Sequence, residues 1–278
     1  MTDFSRVNYA VNDGVARITL DRADVRNAQD KAMLYELNDA FDLAAQDDEV
    51  KVVVLAANGP HFSSGHDLAD RSEMDEFSPV TNWGGFAKPG AEGRQALEEE
   101  IYLGLCWRWR NLPKPTIAEV QGKVIAGGLM LIWVCDLIVA TTETTFSDPV
   151  VAFGVNGVEY FAHPWEFGPR KAKELLFTGG RMTAQEAQSC GMVNHVVANE
   201  ELSEFTDQLA ARIAQRPSMG LRLAKQSVNQ AQDAQGFYSA LQAAMSLQQL
   251  GHANNEIVHG RAVHPAGAVV IKREAKLP

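Results

Sequence analysis

One stretch of the sequence constrains the fold more than any other, and it runs from Gln121 to Thr141. Its letters, QGKVIAGGLMLIWVCDLIVAT, read as a strand, a glycine turn, a short buried helix and a second strand. Paired glycines between a strand and a helix let a ligand approach the backbone closely, and the first N–H groups of a helix have no partner inside it. Negative charge is stabilised at such a helix start. The stretch therefore predicts either a tight turn between buried elements or a site for a negatively charged atom.

Strands and helices alternate along most of the remaining chain, and its end is helical. Alternation on both sides of the Asn12-Asp13-Gly14 turn predicts a β-hairpin, and the apolar run 51–57 predicts a strand buried on both faces. Helical patterns begin near residue 30, cover 96–110, and fill three segments between 200 and 251. We predict an α/β fold, with a core over residues 1–198 and a C-terminal helical region over 199–278.

Two segments lack a regular pattern. Residues 70–94 are rich in glycine, proline and acidic side chains, which predicts a long loop of the kind that is more often functional than idle. Residues 145–157 are expected to be irregular, because Pro149 restricts the backbone there.

The overall charge and the distribution of apolar residues exclude several classes of protein. A net charge of −10 offers no basic face for nucleic acid. Three widely spaced cysteines form neither a disulfide framework nor a metal-binding motif. The N-terminus lacks an apolar signal core, and the longest apolar run, residues 129–135, is too short to span a bilayer. We expect a cytoplasmic protein with no metal and no nucleic-acid or membrane partner.

Five motifs, in order, resemble the crotonase (enoyl-CoA hydratase/isomerase) superfamily. They are ITLDRADVRNAQD, VVVLAANGPHFSSGHDL, KPTIAEVQGKVIAGGLMLIWVCDLIVAT, FSDPVVAFGV and KAKELLFTGGRMTAQEAQSCGMVNHVV, and the resemblance covers about residues 8 to 230. It implies a spiral of ββα units with a C-terminal helical trimerisation region, the trimers often pairing into hexamers. It also implies a lyase or isomerase that acts on an acyl-CoA thioester, with no cofactor beyond the coenzyme A carried by the substrate.

The resemblance implies where the thioester is held. The backbone N–H groups of His66 and Gly127 match the two donors that hold the thioester oxygen while negative charge develops on it. One such donor typically contributes roughly 2.7–4 kcal/mol to transition-state stabilisation. By the same matching, the substrate and coenzyme A positions are Arg26, Ser64, Gly65, His66, Asp67, Leu68, Ala69, Gly127, Met130 and Val150.

Some of these positions have alternative interpretations. Arg26 either approaches the phosphates of coenzyme A or is a solvated surface arginine, and the side chain of Asp67 is expected to cap a helix. The HFSSGHDL segment also contains the residue types of a Ser-His-Asp triad. Neighbouring residues point in different directions, however, and cannot hydrogen-bond in the order that a triad requires, so a serine hydrolase is not expected.

The chain departs from the family where protons are moved. Hydratases of the family carry one glutamate in the first turn of helix after the glycines and a second after an FxxP motif, and here Met130 and Val150 occupy these positions. General acid–base assistance commonly contributes roughly 10²–10⁴-fold, so we expect little hydration of simple enoyl-CoAs unless other side chains take over.

Glu159 is the candidate acid or base in this chain. It lies one residue beyond Val158, a position that family members with other chemistries use, and its apolar neighbours would raise its pKa. The alternative is a salt-bridged or exposed loop carboxylate, and His66 and Asp148 are further candidates. Because Met130 and Val150 replace both family glutamates, a non-catalytic acyl-CoA-binding protein is the alternative function.

Overall fold

A hairpin opens the main sheet. In the computed structural model, which describes residues 4–274, β1 (Val7–Asn12) pairs antiparallel with β2 (Val15–Leu20). Asp13 and Gly14 between them have φ of 48° and 79°. Two successive positive φ values are those of the tight turn whose twist matches a hairpin. The hairpin prediction is confirmed.

The main sheet has six strands in the order β1-β2-β3-β4-β6-β9, and all pairs except the hairpin are parallel. Its other strands are β3 (Val52–Ala57), β4 (Thr116–Val120), β6 (Leu137–Thr141) and β9 (His195–Val197). The predicted strand at 51–57 is thus confirmed as β3, a central strand buried on both faces. A second sheet joins β5 (Lys123–Ile125), β7 (Thr145–Ser147) and β8 (Met182–Thr183).

Helices cover both faces of the main sheet. In the described chain they are α1 (Lys31–Gln46), α2 (Ala91–Glu98), α3 (Leu105–Arg110), α4 (Gly127–Trp133), α5 (His163–Thr178), α6 (Ala184–Ser189), α7 (Leu202–Ala214), α8 (Ser218–Ala234), α9 (Phe237–His259) and α10 (Gly267–Glu274). The larger apolar core packs α1, α3 and α4 on one face. A smaller cluster packs α7 on the other. No helix among residues 4–274 combines the length and apolar character needed to cross a membrane.

A π-helical segment, Glu99–Gly104, joins α2 to α3. The sequence predicts a single helix over 96–110, whereas the helix begins at Ala91 and changes its hydrogen-bond pattern at Glu99. π-Helical turns are rare and frequently occur at functional sites. Glu99 and Glu100 of this segment are buried, and so is Glu98 at the end of α2.

Several elements differ from the sequence predictions because tertiary contacts decide them. The segment 145–157 is not wholly irregular, since β7 pairs with β5 and β8, and a 3₁₀ helix (Val150–Phe153) follows. α9 runs to His259, eight residues beyond the predicted end at Gly251, and α10 was not predicted. The amide of Asn255 donates to the carbonyl groups of Phe153 and Ala262, which ties this extension to the core.

Candidate active site

The loop after β3 and the start of α4 bring His66 and Gly127 into contact. A Cβ atom placed on Gly127 would lie 2.4 Å from Cδ2 of His66, and one placed on Gly65 would lie 3.1 Å from the nitrogen of Gly127. Within residues 4–274 neither the N–H group of His66 nor that of Gly127 donates a hydrogen bond. Both donors are therefore free to bind a ligand. The start of α4 adds the positive end of its helix dipole.

The backbone around these donors is held in unusual conformations. Gly65 has a φ of 91°, and Ala126, at the start of α4, has a φ of 50° although it is not glycine. A Cβ on Gly65 would lie 2.9 Å from the carbonyl oxygen of Ile125, so any side chain there would force the surrounding backbone to shift. Strained backbone of this kind persists where the surrounding structure enforces it, and it clusters at functional sites.

The side chain of His66 faces Glu159. Its Nε2 atom lies 3.7 Å from Oε2 of Glu159, and its ring stacks on that of Tyr102 with the centroids 3.8 Å apart. Neither of the two facing atoms has a hydrogen-bond partner among the described residues. Burial lowers the pKa of His66 to about 4, while burial and then the charge of Glu98 raise the pKa of Glu159 well above its usual range. Burial thus favours the uncharged form of both the imidazole and the carboxyl group.

Asp148 and helix α9 position Glu159. The N–H group of Val158 donates to Oδ2 of Asp148 at 3.0 Å, and Nε2 of His163 lies 2.8 Å from the same oxygen. From α9, the Gln248 amide donates to Oε1 of Glu159 at 3.4 Å. Asp148 is engaged by these two protein groups, and it therefore orders the loop before Glu159. Gln248 was not expected from the sequence, which gave no sign that α9 returns to this loop.

The two positions that carry glutamates in hydratases offer no acid or base here. Met130, on α4, is buried in the main core, and Val150 lies partly buried at the start of the 3₁₀ helix. Val158 is buried beside Glu159. Of the predicted acid and base candidates, Glu159 and His66 are therefore the pair that the fold brings together beside Gly127.

A small basic cavity lies beside the His66 loop. It has a volume of about 170 Å³ and is lined by Arg26, His61, Ser63, Ser64, Lys123 and Ile125. Burial, followed by the charges of Lys123 and Arg26, lowers the pKa of His61. The sequence pointed to Arg26 alone, because Lys123 and His61 lie on different segments and only the fold brings them together. An anionic group is the ligand that these charges suit.

The prediction that Asp67 caps a helix is wrong. No helix follows it, and its Oδ1 atom accepts instead from the N–H group of Ala69 at 3.0 Å, while Oδ2 accepts from Arg22 at 3.1 Å. An aspartate that bonds the backbone two residues on forms a local turn, which competes with helix formation. The turn leaves Leu68 and Ala69 exposed at the rim of the site.

A second polar cluster lies between α2 and α9. Glu98 accepts a hydrogen bond from the Gln249 amide at 2.5 Å, and its other oxygen lies 3.4 Å from Nε2 of His252. These α9 residues were not predicted as part of the site. In the described part of the chain, no group of three or more histidine, cysteine, aspartate or glutamate side chains is arranged to hold a metal ion.

Comparisons with known proteins identify the family of this chain. The family model described as "Enoyl-CoA hydratase/isomerase" matches residues 10–262. A protein of Mycobacterium tuberculosis, provisionally named enoyl-CoA hydratase EchA13, is 48% identical over 269 residues, which cover 93% of this chain and 85% of that protein.

Solved structures give the same result. The crystal structure of a probable enoyl-CoA hydratase from Mycobacterium smegmatis is 48% identical with a TM-score of 0.85, and 93% of this chain and 99% of that one are covered. An enoyl-CoA hydratase/isomerase from Xanthobacter autotrophicus Py2 is 30% identical with a TM-score of 0.82, and 99% and 100% are covered. The predicted α/β crotonase-like fold with its C-terminal helices is confirmed. The chain belongs to the enoyl-CoA hydratase/isomerase family of the crotonase superfamily.

Proposed function

We propose that this protein is an enzyme of the lyase or isomerase class that acts on an acyl-CoA thioester by stabilising its enolate. The observation that carries the proposal is the contact between His66 and Gly127, whose N–H groups both lack a hydrogen-bond partner within residues 4–274. A thioester oxygen that accepts from both donors gains negative charge as the enolate forms. Each donor is expected to contribute roughly 2.7–4 kcal/mol in a site that excludes water.

Glu159 is the proposed acid or base. Burial raises the pKa of its carboxyl group and so favours the protonated form, which delivers a proton to a carbon of the enolate or removes one in the reverse direction. Its position beside His66, rather than in solvent, supports this role. Asp148 acts only as a positioning residue, because it holds the N–H group of Val158.

Coenzyme A enters as part of the substrate, and no separate cofactor is proposed. Its phosphate groups would lie near Arg26, His61 and Lys123. Of these, Arg26 and Lys123 supply the local positive charge that a chain of net charge −10 otherwise lacks. Its remaining atoms would follow the loop of Ser64 and Gly65 and the rim formed by Asp67, Leu68 and Ala69, and the acyl group would lie near Met130 and Val150.

A second candidate function is acyl-CoA binding without catalysis. Met130 and Val150 favour it, since neither side chain transfers a proton. The two functions share the oxyanion hole and the basic cavity and differ only in whether Glu159 takes part in chemistry.

Turnover of a panel of acyl-CoA thioesters by wild type, Glu159→Gln and Glu174→Gln separates them. Glu174 is an exposed glutamate on α5, which makes it a control for loss of a carboxylate. For an enzyme we expect Glu159→Gln to reduce kcat by about 10²-fold or more, with Glu174→Gln unchanged. Binding by all three proteins with no turnover of any thioester would establish the binder, and absence of binding would refute both functions.

We further propose that the protein forms a homotrimer or a hexamer of two trimers and works in the cytoplasm, with neither nucleic acid nor membrane as a partner. An exposed apolar row on α9 supports assembly, and it consists of Leu247, Leu250, Ile257 and Val258.

A further inference from the structure

Two buried polar atoms meet without bonding, and they lie beside the proposed oxyanion hole. Nε2 of His66 and Oε2 of Glu159 each lack a hydrogen-bond partner within the described chain, although both side chains are largely buried. Burying a polar atom without a partner is unfavourable, so such atoms normally have a ligand, a water molecule or a catalytic role.

The distance between them fits one oxygen atom. At 3.7 Å the two atoms are too far apart for a direct hydrogen bond. An oxygen about 2.8 Å from both Nε2 and Oε2 would form an angle of roughly 80° between them, so it can hydrogen-bond to both groups. The His66 ring also packs against Gly127, so this oxygen would lie beside the free N–H donors.

The orientation of each group is set by its neighbours. The Gln248 amide donates to Oε1 of Glu159, which leaves Oε2 as the oxygen that carries a transferable proton. The ring of Tyr102, inclined by 7° to that of His66, fixes the plane of the imidazole.

We propose that the His66 side chain is a second catalytic group, and that it and Glu159 hold between them one oxygen atom, from water or from a 3-hydroxyacyl substrate, and move its proton. This inference rests on the proposed function and deepens it. It assigns His66 two separate roles, one for its backbone N–H group and one for its imidazole. The pair would take over the work of the glutamates that Met130 and Val150 replace.

The reaction needs no reactant other than the thioester and water. Nε2 of His66 takes a proton from water while the water oxygen bonds to Cβ of a 2-enoyl thioester, and the double-bond electrons move to the thioester oxygen. The enolate then takes a proton at Cα from the carboxyl group of Glu159, which becomes a carboxylate. The imidazolium finally returns its proton to that carboxylate, which restores both groups. The reverse sequence eliminates water from a 3-hydroxyacyl thioester.

Replacing His66 by alanine tests this directly, because alanine keeps the backbone N–H group. We expect His66→Ala and the more conservative His66→Gln to reduce kcat by about 10²-fold or more, with the affinity for a saturated acyl-CoA within about threefold of wild type. Because the two groups act on one oxygen, the double variant with Glu159→Gln should be no slower than the slower single variant. The control is His195→Gln, at a histidine on β9 that packs on Phe205 outside the site.

The outcomes separate this inference from the proposed function. If both His66 variants fold and bind but keep kcat within about threefold of wild type while Glu159→Gln loses it, the inference is overturned and the function stands. A crystal structure with a 3-hydroxyacyl thioester gives a second readout that needs no turnover. The hydroxyl oxygen should lie within about 3.2 Å of both Nε2 of His66 and the Glu159 carboxyl group. A hydroxyl more than about 4 Å from Nε2 would overturn the inference even in a protein that only binds.

Discussion

Single glycine residues decide whether the two loops of the site can meet. Gly65 and Gly191 have nearly the same positive φ, 91° and 92°, but only at Gly65 would a side chain meet other atoms. We expect Gly191→Ala to lower the free energy of unfolding by about 1 kcal/mol, from backbone strain alone. Gly65→Ala should lower it by about 2–4 kcal/mol, because its Cβ would also press on Ile125. Urea unfolding checks both, and equal losses would show that contact with Ile125 is unimportant.

Glu166 on α5 gives the fold a predictable dependence on pH. Burial raises its pKa from 4.5 to about 8, and its carboxyl group accepts no hydrogen bond within the described chain. Between these pH values only the folded state keeps the proton. The contribution of the protonated carboxyl group to stability is therefore complete below pH 4.5 and is lost as the pH rises through 8.

Comparison with Glu166→Gln isolates this effect. The residue borders a cavity of about 460 Å³ that admits water. We therefore expect the unfolding free energy of the wild type to fall by about 1–3 kcal/mol between pH 5 and pH 8, which is less than about 1.36 kcal/mol for each pH unit. The difference in unfolding free energy between wild type and the variant should change by this amount. A difference that is the same at every pH would contradict the assignment.

At the residue scale the sequence predicted individual positions better than their partners. Motif order made Gly127 a candidate, and its place next to Val158 made Glu159 one. Nothing in the chain indicated that Glu159 would face His66, which is 93 positions earlier. Such a pairing depends on packing between distant segments, and a single sequence contains no signal for it.

At the scale of elements, the π-helical segment fixes the long loop over residues 70–90. Glu100 is fully buried, and its carboxyl oxygens accept from Tyr35, from the N–H groups of Val80 and Thr81, and from the Thr81 hydroxyl. The loop is therefore attached by its backbone to the element that also carries Tyr102, the residue stacked on His66.

Glu100→Gln should release this loop. An amide in place of the carboxyl group presents N–H donors to N–H donors, and each lost buried bond costs roughly 1–3 kcal/mol. We expect hydrogen exchange over residues 79–90 to accelerate at least tenfold, while exchange in β3 and β4 changes less. Glu92→Gln, at an exposed position on α2, is the matched control. Unchanged exchange in the loop would mean that other contacts hold it.

Elements with strong local signals were predicted correctly, and those stabilised from a distance were not. The hairpin has its Asp-Gly turn, and α1 has its cap, since Asp30 accepts from the N–H group of Met33 at 2.8 Å. β7 is only three residues long, and its stability depends on pairing with β5 and β8. The extension of α9 depends in the same way on contacts of Asn255.

At the scale of the whole molecule, the described chain leaves an apolar row of α9 uncovered. Ile257 is 86% exposed, and Leu250 is exposed about two turns earlier. We expect sedimentation to give three or six times the chain mass of 30.4 kDa. Leu250→Lys combined with Ile257→Lys should lower this mass, whereas Leu43→Lys, on α1, should not. A monomer at micromolar concentration in wild type would contradict the assembly.

The basic cavity of Arg26, His61 and Lys123 has a consequence for the response to ionic strength. Salt screens exposed charges over about 10 Å at 0.1 M, whereas burial favours the uncharged forms of the imidazole and carboxyl group in the inner site. Added salt should therefore raise KM for acyl-CoA and leave kcat nearly constant. For the same thioester shortened to its pantetheine part, which lacks the nucleotide phosphates, KM should be insensitive to salt. In this negatively charged protein, ionic strength would thus change the binding of coenzyme A without changing the chemistry on the acyl group.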